Sequence, residues 1–402
     1  IFDGIQGDAL NYMKFRFGYG SSAGFPTPYN TRNVLGLNSR ALVDLNGNVV
    51  SSNSVDNSLG NPNLQPERVA EIELGIDTRL FNIWNLNVSV FDKKTTDLIT
   101  DRPLDSSTGF TGTTVNIGEI KSKGIEVDTN IDILKEYEHG VGFNIAANFT
   151  AIETTVTDLA EGTNNILLTS AVAGEAANYA VEGRPFGVFL GTTILQDENG
   201  NDLVNDAGRY LVDNTIKEIG DPNPDWNTAV IPTISYKNFS LSANFQYRHG
   251  GDIYSNTATA LIGRGVVDDN NPIQREAQYV LPGISQATGL PNQTAISATQ
   301  LGFDVYFADG NNTFTVYDGS TFRIQEASLT YALPSKTLDQ TPFGSLSFTL
   351  SGQNLWFKAI NMPSNVNYDT NSSSTGVGNG QGIDFFTGPS SRRYGFTIRA
   401  SF

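Results

Sequence analysis

The sequence predicts an all-β fold, specifically an antiparallel transmembrane β-barrel with long extracellular loops. Three observations predict it. Side chains alternate with a period of two along nearly the whole chain, connections between alternating segments are short and long by turns, and aromatic residues gather at the segment ends. Apolar–polar alternation marks a strand with unlike faces. Short turns on one rim and long loops on the other are the layout of a membrane barrel.

The segments run from end to end. Met13, Phe15, Phe17 and Tyr19 alternate with Lys14, Arg16 and Gly18. Ala70, Ile72, Leu74 and Ile76 oppose Glu71, Glu73, Gly75 and Asp77. Trp84, Leu86, Val88 and Val90 oppose Asn85, Asn87 and Ser89. Ile125, Val127, Ile131 and Ile133 oppose Glu126, Asp128, Asn130 and Asp132. The series Val141 to Phe149, Trp226 to Tyr236 and Phe239 to Tyr247 repeat the pattern. Ala327, Leu329 and Tyr331 take one parity but Phe322 and Ile324 the other, which predicts a β-bulge near Gln325. Leu346, Phe348 and Leu350, then Tyr394, Phe396, Ile398, Ala400 and Phe402, complete about ten strands. Ten residues at about 3.3 Å each, tilted near 45°, cover roughly 24 Å, the height of an outer-membrane apolar band.

Short connections are expected at Phe81–Ile83, Leu134–Gly140, Lys237–Asn238 and Pro334–Pro342. Long ones are expected at about 20–68, 95–121, 153–225, 250–320 and 357–391, without regular structure except for a hairpin in 184–212 turning at Asn199-Gly200. Lipid satisfies no backbone polar group, so the sheet must close, with an apolar outer face. The opposite parity, carrying Glu71, Glu73, Asp77, Glu126, Asp128 and Asp132, then lines a wet interior. A soluble sandwich with its polar row in water is the competing fold, but its strands and loops would be shorter.

Composition removes other classes. The chain of 402 residues carries 42 Asp and Glu against 25 Lys and Arg, a net charge of −17, so no nucleic-acid partner is expected. It has no cysteine and only His139 and His249, so thiolate sites and a histidine-built metal centre are not expected, nor any cofactor. No apolar run approaches the about 20 residues of a membrane helix. The aromatics are 24 Phe, 15 Tyr and 3 Trp. Trp84, Tyr236, Phe239, Tyr331 and Phe343 flank short turns, while Tyr19, Trp226, Tyr247 and Trp356 sit at long-loop ends, the two girdles of a barrel at its interfaces.

Several stretches carry a family resemblance: NPNLQPERVAEIELGID (61–77), GFTGTTVNIGEIKSKGIEVDTNI (109–131), IGDPNPDWN (219–227), NFSLSANFQYRHGGDIYS (238–255), TFRIQEASLTYALP (321–334), SLSFTLSGQNLWF (345–357) and the terminal RRYGFTIRASF. In this order they resemble the SusC/RagA-type TonB-dependent outer-membrane transporters of Gram-negative bacteria. The resemblance implies a barrel of about 22 strands, of which residues 1–402 are the carboxy-terminal portion. The plug, TonB box and amino-terminal β-domain are then absent from this chain. It further implies import of oligosaccharides or oligopeptides, a SusD-like surface lipoprotein as lid, and energy from the TonB system. The row Tyr394, Phe396, Ile398 and Phe402 resembles the terminal signal read by the barrel-assembly machinery. An autonomous small barrel, acting as an outer-membrane enzyme or adhesin, stays open from the residues alone.

Three motifs are set aside. Gly20-Ser21-Ser22-Ala23-Gly24 fits G-x-S-x-G, but Pro26 and Pro28 forbid the helix that a nucleophile elbow needs. Gly376-Val377-Gly378-Asn379-Gly380 lacks dinucleotide spacing. Asp197 to Asp202 offers oxygen ligands for Ca²⁺ without EF-hand spacing, and reads better as a hairpin tip.

Overall fold

The computed structural model describes residues 7–37, 42–50, 53–135, 140–159, 163–170, 176–267, 273–306, 311–363, 366–371 and 380–402. One sheet of ten strands dominates. Its strands are β1 (Leu10–Gly24), β2 (Glu67–Leu80), β3 (Trp84–Thr96), β4 (Glu119–Leu134) and β5 (Val141–Asp158). They continue as β6 (Pro224–Tyr236), β7 (Phe239–Gly250), β8 (Thr321–Ala332), β9 (Ser345–Ala359) and β10 (Arg393–Ser401). Spatial order equals chain order, and every neighbouring pair is antiparallel. Among the described residues β1 and β10 do not pair with each other, so the sheet is open.

The register fixes the two faces. Phe17 pairs with Leu74, Leu74 with Val90 and Val90 with Ile125, so one apolar row crosses four strands at one height. The predicted bulge lies where expected: Ile324 pairs with Phe245 and Glu326 with Asn244, leaving Gln325 unpaired. The same step shifts the β8–β9 register. It returns the Leu329 row to the face that Ile324 occupies. Phe81 and Asn82, both at positive φ (53° and 57°), make the β2–β3 turn, matching a primed turn that follows strand twist. Pro334–Pro342 holds one helical turn at Ser335–Leu338 where a plain turn was expected.

The strands run 9 to 18 residues, longer than the apolar rows. Backbone pairing continues past the alternation because β1 to β5 rise above the band that must be apolar. The extracellular connections also depart from expectation, since they carry their own regular structure. Strands at 165–170, 177–181, 188–194 and 212–220 form a four-stranded sheet. A helix at Asn256–Gly263 and several smaller sheets complete a cap. The reason is burial. Val188, Phe189, Val204, Ile253, Tyr254, Ile262 and Ile296 are fully covered there, while the outer apolar row of the sheet is not. The protein's dry core therefore sits in the loops. The expected hairpin is present: Gln196 bridges Asp202, and Gly200, at φ 81°, closes its tip.

Candidate functional site: the barrel wall and its mouth

The outward row has no second layer. Phe17, Leu74, Val90, Leu241, Leu350 and Phe396 are all exposed. The row ends sharply on the extracellular side. Val90 pairs with Ile125, but the next outward pairs are Asp92 with Lys123 and Lys94 with Lys121. Lys94 Nζ lies 2.6 Å from Glu119 and Lys121 Nζ 3.6 Å from the same carboxylate. Charged side chains replace aliphatic ones at one level on two strands, which marks the upper edge of the apolar band. This lysine rim was missed in the sequence, although VSVFDKK and KSKGIEV show the switch from aliphatic to charge without loss of parity.

The aromatic residues sit at the strand ends. On the short-turn side, Trp84 Nε1 donates to Thr129 at 2.6 Å, Phe239 packs on Tyr331 at 4.7 Å, and Lys237 lies over the exposed Tyr236 ring. Phe343 packs on Phe402 at 5.1 Å. On the long-loop side, Trp226 gathers Phe149, Tyr247 and His249, and Trp356 meets Phe322 edge-on. Tyr394, Phe396, Ile398 and Phe402 are exposed, and so is every residue of β10.

The inward row is polar and locally wired. Arg16 of β1 lies over Gly75 and bonds Asp77 and Glu73, each at 2.9 Å, and Ser89 at 3.0 Å. A Cβ at Gly75 would stand 2.7 Å from the guanidinium carbon, so a side chain there would displace the arginine from its present seat. Asn144 donates to Asp132 and Asn130. Thr233 pairs with Ser242, and Thr330 with Thr349. Arg16 was not singled out in the sequence; its inward parity opposite a glycine was the available signal.

At the extracellular mouth, β5 to β8 hold a cavity of about 280 Å³, lined by Asn148, Asn227, Gln246, Arg248, Thr321 and Arg323 among others. The register makes these neighbours: Asn227 pairs with Arg248, Gln246 with Arg323, and Arg248 with Thr321. Arg323 is buried against the equally buried Asp369 at 2.5 Å. Arg248 Nη2 donates to the Pro222 carbonyl at 2.9 Å, and its Nε has no acceptor among the described residues. A buried donor left unmet costs about 1–3 kcal/mol.

Above this mouth, Asp384 ties the cap together. It accepts from Ser255 Oγ at 2.7 Å and Thr257 N at 3.2 Å, while Ser255 also caps the helix through Ala258 N. Burial alone would raise the Asp384 carboxyl, but bonds from Thr257, Tyr368, Ser255 and Thr387 outweigh it and hold it below the ordinary 3.8. Asp252 goes the other way, pushed up by burial.

The set-aside motifs find plain places. Gly20 to Gly24 lie within β1, paired to β2. Asp197 spends its carboxylate on the backbone of its own turn, accepting from Asn199 N and Asn201 N. His249 packs against Trp226 at a tilt and stacks on Tyr247; His139 and Gly376 to Asn379 lie outside the described residues. Among the described residues no three His, Asp or Glu side chains converge as a metal site.

A family model described as "TonB dependent receptor-like, beta-barrel" matches residues 8–261. The chain belongs to that family. TonB-dependent receptor P3 of Formosa agariphila is 26% identical over 374 residues, covering 85% of this chain and 35% of that protein. TonB-dependent receptor P26 of the same organism is 24% identical over 437 residues, covering 98% and 40%. Among solved structures, the RagAB peptide transporter superposes with a TM-score of 0.68 at 17% identity, covering 100% of this chain and 42% of that one. At that identity the likeness shows the fold. The chain thus spans about two fifths of the proteins it matches. As a TonB-dependent receptor barrel it is an outer-membrane element of a Gram-negative bacterium, in a family of receptors and transporters rather than enzymes.

Proposed function

We propose that the chain is the carboxy-terminal part of the barrel of a TonB-dependent importer that brings oligosaccharides or oligopeptides across the outer membrane. One observation carries the reading: ten long strands carry a mainly apolar outward face, with large apolar side chains exposed, and a polar, acid-bearing face opposite. Such a sheet belongs between lipid and water. Its open edges on β1 and β10 present unpaired N–H and C=O groups, which lipid does not tolerate. Further strands of the same protein, toward the about 22 of large outer-membrane transporters, would remove them.

In this reading the plug and TonB box belong to the rest of the protein, and a SusD-like surface lipoprotein closes over the cap. The aromatics Trp84, Tyr236, Phe239 and Tyr331 anchor the barrel at the inner interface, and Trp226 and Trp356 at the outer one. The exposed row Tyr394, Phe396, Ile398 and Phe402 is read by the barrel-assembly machinery. The test is uptake of labelled oligosaccharide and oligopeptide mixtures by cells with and without the intact gene. The expected result is a loss of uptake of one mixture on deletion, and the same loss in wild-type cells treated with a protonophore. Uptake unchanged by both treatments would overturn the proposal.

A further inference from the structure

We infer that Arg248 and Arg323, with the carboxamides of Asn148, Asn227, Gln246 and Asn371, form a subsite at the extracellular mouth that binds a carboxylate carried by the cargo. This rests on the import reading above and names the chemistry of one unit of the imported oligomer, an acidic sugar or an acidic side chain.

The placement comes first. Adjacent inward positions on β5 to β8 bring these side chains to one cavity at the top of the wall. Among the described residues no carboxylate lines that cavity. Six inward acids, Glu71, Glu73, Asp77, Glu126, Asp128 and Asp132, lie on β2 and β4, in the other half of the sheet. Beside the two arginines β8 carries one inward acid, Glu326, opposite Asn244 and below the cavity.

The two guanidinium groups are held differently. Arg323 is fixed by Asp369, and Asn371, with its amide oxygen turned inward, accepts from it at 3.0 Å. Arg248 makes one hydrogen bond, to a carbonyl, and has no carboxylate within ion-pair distance among the described residues. Its surroundings are tight: Gly251, at φ 74°, would bring a Cβ to 2.4 Å from Nη2 and 2.8 Å from the Pro222 carbonyl that Nη2 bonds. A planar guanidinium with free donors matches a carboxylate in two parallel bonds. The flanking carboxamides donate and accept, which suits the hydroxyl or amide groups beside a carboxylate. The volume of about 280 Å³ is at the small end of ligand pockets, roughly 300–1,000 Å³, so it takes a unit of an oligomer and not the whole.

The experiment uses the full-length protein in detergent with four probes: hexagalacturonate, its fully methyl-esterified twin, a glutamate-bearing hexapeptide and its glutamine twin. Calorimetry should show one acid probe binding about tenfold more tightly than its neutral twin, a difference of 1.4 kcal/mol. Which acid probe does so identifies the source of the carboxylate. The preference should vanish in Arg248→Gln and survive in part in Arg248→Lys, with both variants keeping the wild-type protease resistance of the cap. Equal binding of acid and neutral twins overturns the subsite, as does a preference that survives Arg248→Gln. Loss of protease resistance in Arg248→Gln without loss of the preference assigns Arg248 to structure and also overturns it. Each of these results leaves the import reading standing; that reading falls on the uptake test, when neither deletion nor the protonophore changes uptake.

Discussion

The sheet and the cap solve the same burial problem in opposite ways. The sheet leaves Leu241, Leu350 and Phe396 uncovered and holds itself by backbone pairing, because its apolar side is made for hydrocarbon. The cap covers Phe189, Ile253 and Ile262 completely, because it stands in water and must supply its own core. An identical substitution should therefore have opposite consequences in the two regions.

Breaking a buried charge pair gives the largest expected effect. Arg323→Met leaves the buried Asp369 without its cation and should cost about 3–5 kcal/mol, read as faster hydrogen exchange over 366–371. A cavity in the cap comes next. Phe189→Ala should cost a similar or slightly smaller amount, about 3–5 kcal/mol, and raise protease cleavage between 177 and 194, with the sheet unaffected. The matching change in the sheet, Leu241→Ala, should alter protease resistance far less, since the residue is already half exposed.

A charge sharpens the contrast further. Leu350→Arg on the outward row should cost about 2–4 kcal/mol in a bilayer, while Thr349→Arg on the inward row should be near neutral. Urea titrations of the protein refolded into vesicles separate the two. If both arginines cost the same, the sheet has no lipid side.

The smallest effect is a pH dependence confined to the cap. Asp384 is held below 3.8 in the folded state, so its contribution is complete above that value. It is lost as pH falls below 3.8 through the depressed folded value. Asp252, raised by burial, acts with the opposite sign and loses its contribution as pH rises. The difference between wild type and Asp384→Asn therefore isolates Asp384. Exchange protection at 253–255 should fall more steeply with acid in the wild type than in Asp384→Asn.

The sheet was legible in the sequence because its signal is local. Alternation at Met13–Tyr19 or Leu346–Leu350 needs no knowledge of partners, and the parity slip before Ala327 was enough to place the bulge at Gln325. The cap was not legible because its contacts are distant. Asp384 meets Ser255 across 129 residues, and Asn178 meets Gln381 across 203. Its strands are short, and polar loop residues hide the few apolar ones that become its core. The mouth lies between these cases. Arg248, Gln246 and Arg323 show inward parity in the sequence, but only the register reveals that they are neighbours. The lysine rim at Lys94, Lys121 and Lys123 could have been read directly, as the point where the alternation keeps its phase and changes its chemistry.

The Leu, Val and Phe row should meet hydrocarbon. These 402 residues contain no cysteine, so single cysteines can report on it. Spin labels at L74C, L241C and L350C, with E73C, S242C and T349C beside them, would be read in vesicles by collision with oxygen and with a water-soluble nickel chelate. Oxygen should dominate at the first three and the chelate at the second three. Chelate access at both sets, or at neither, would contradict it.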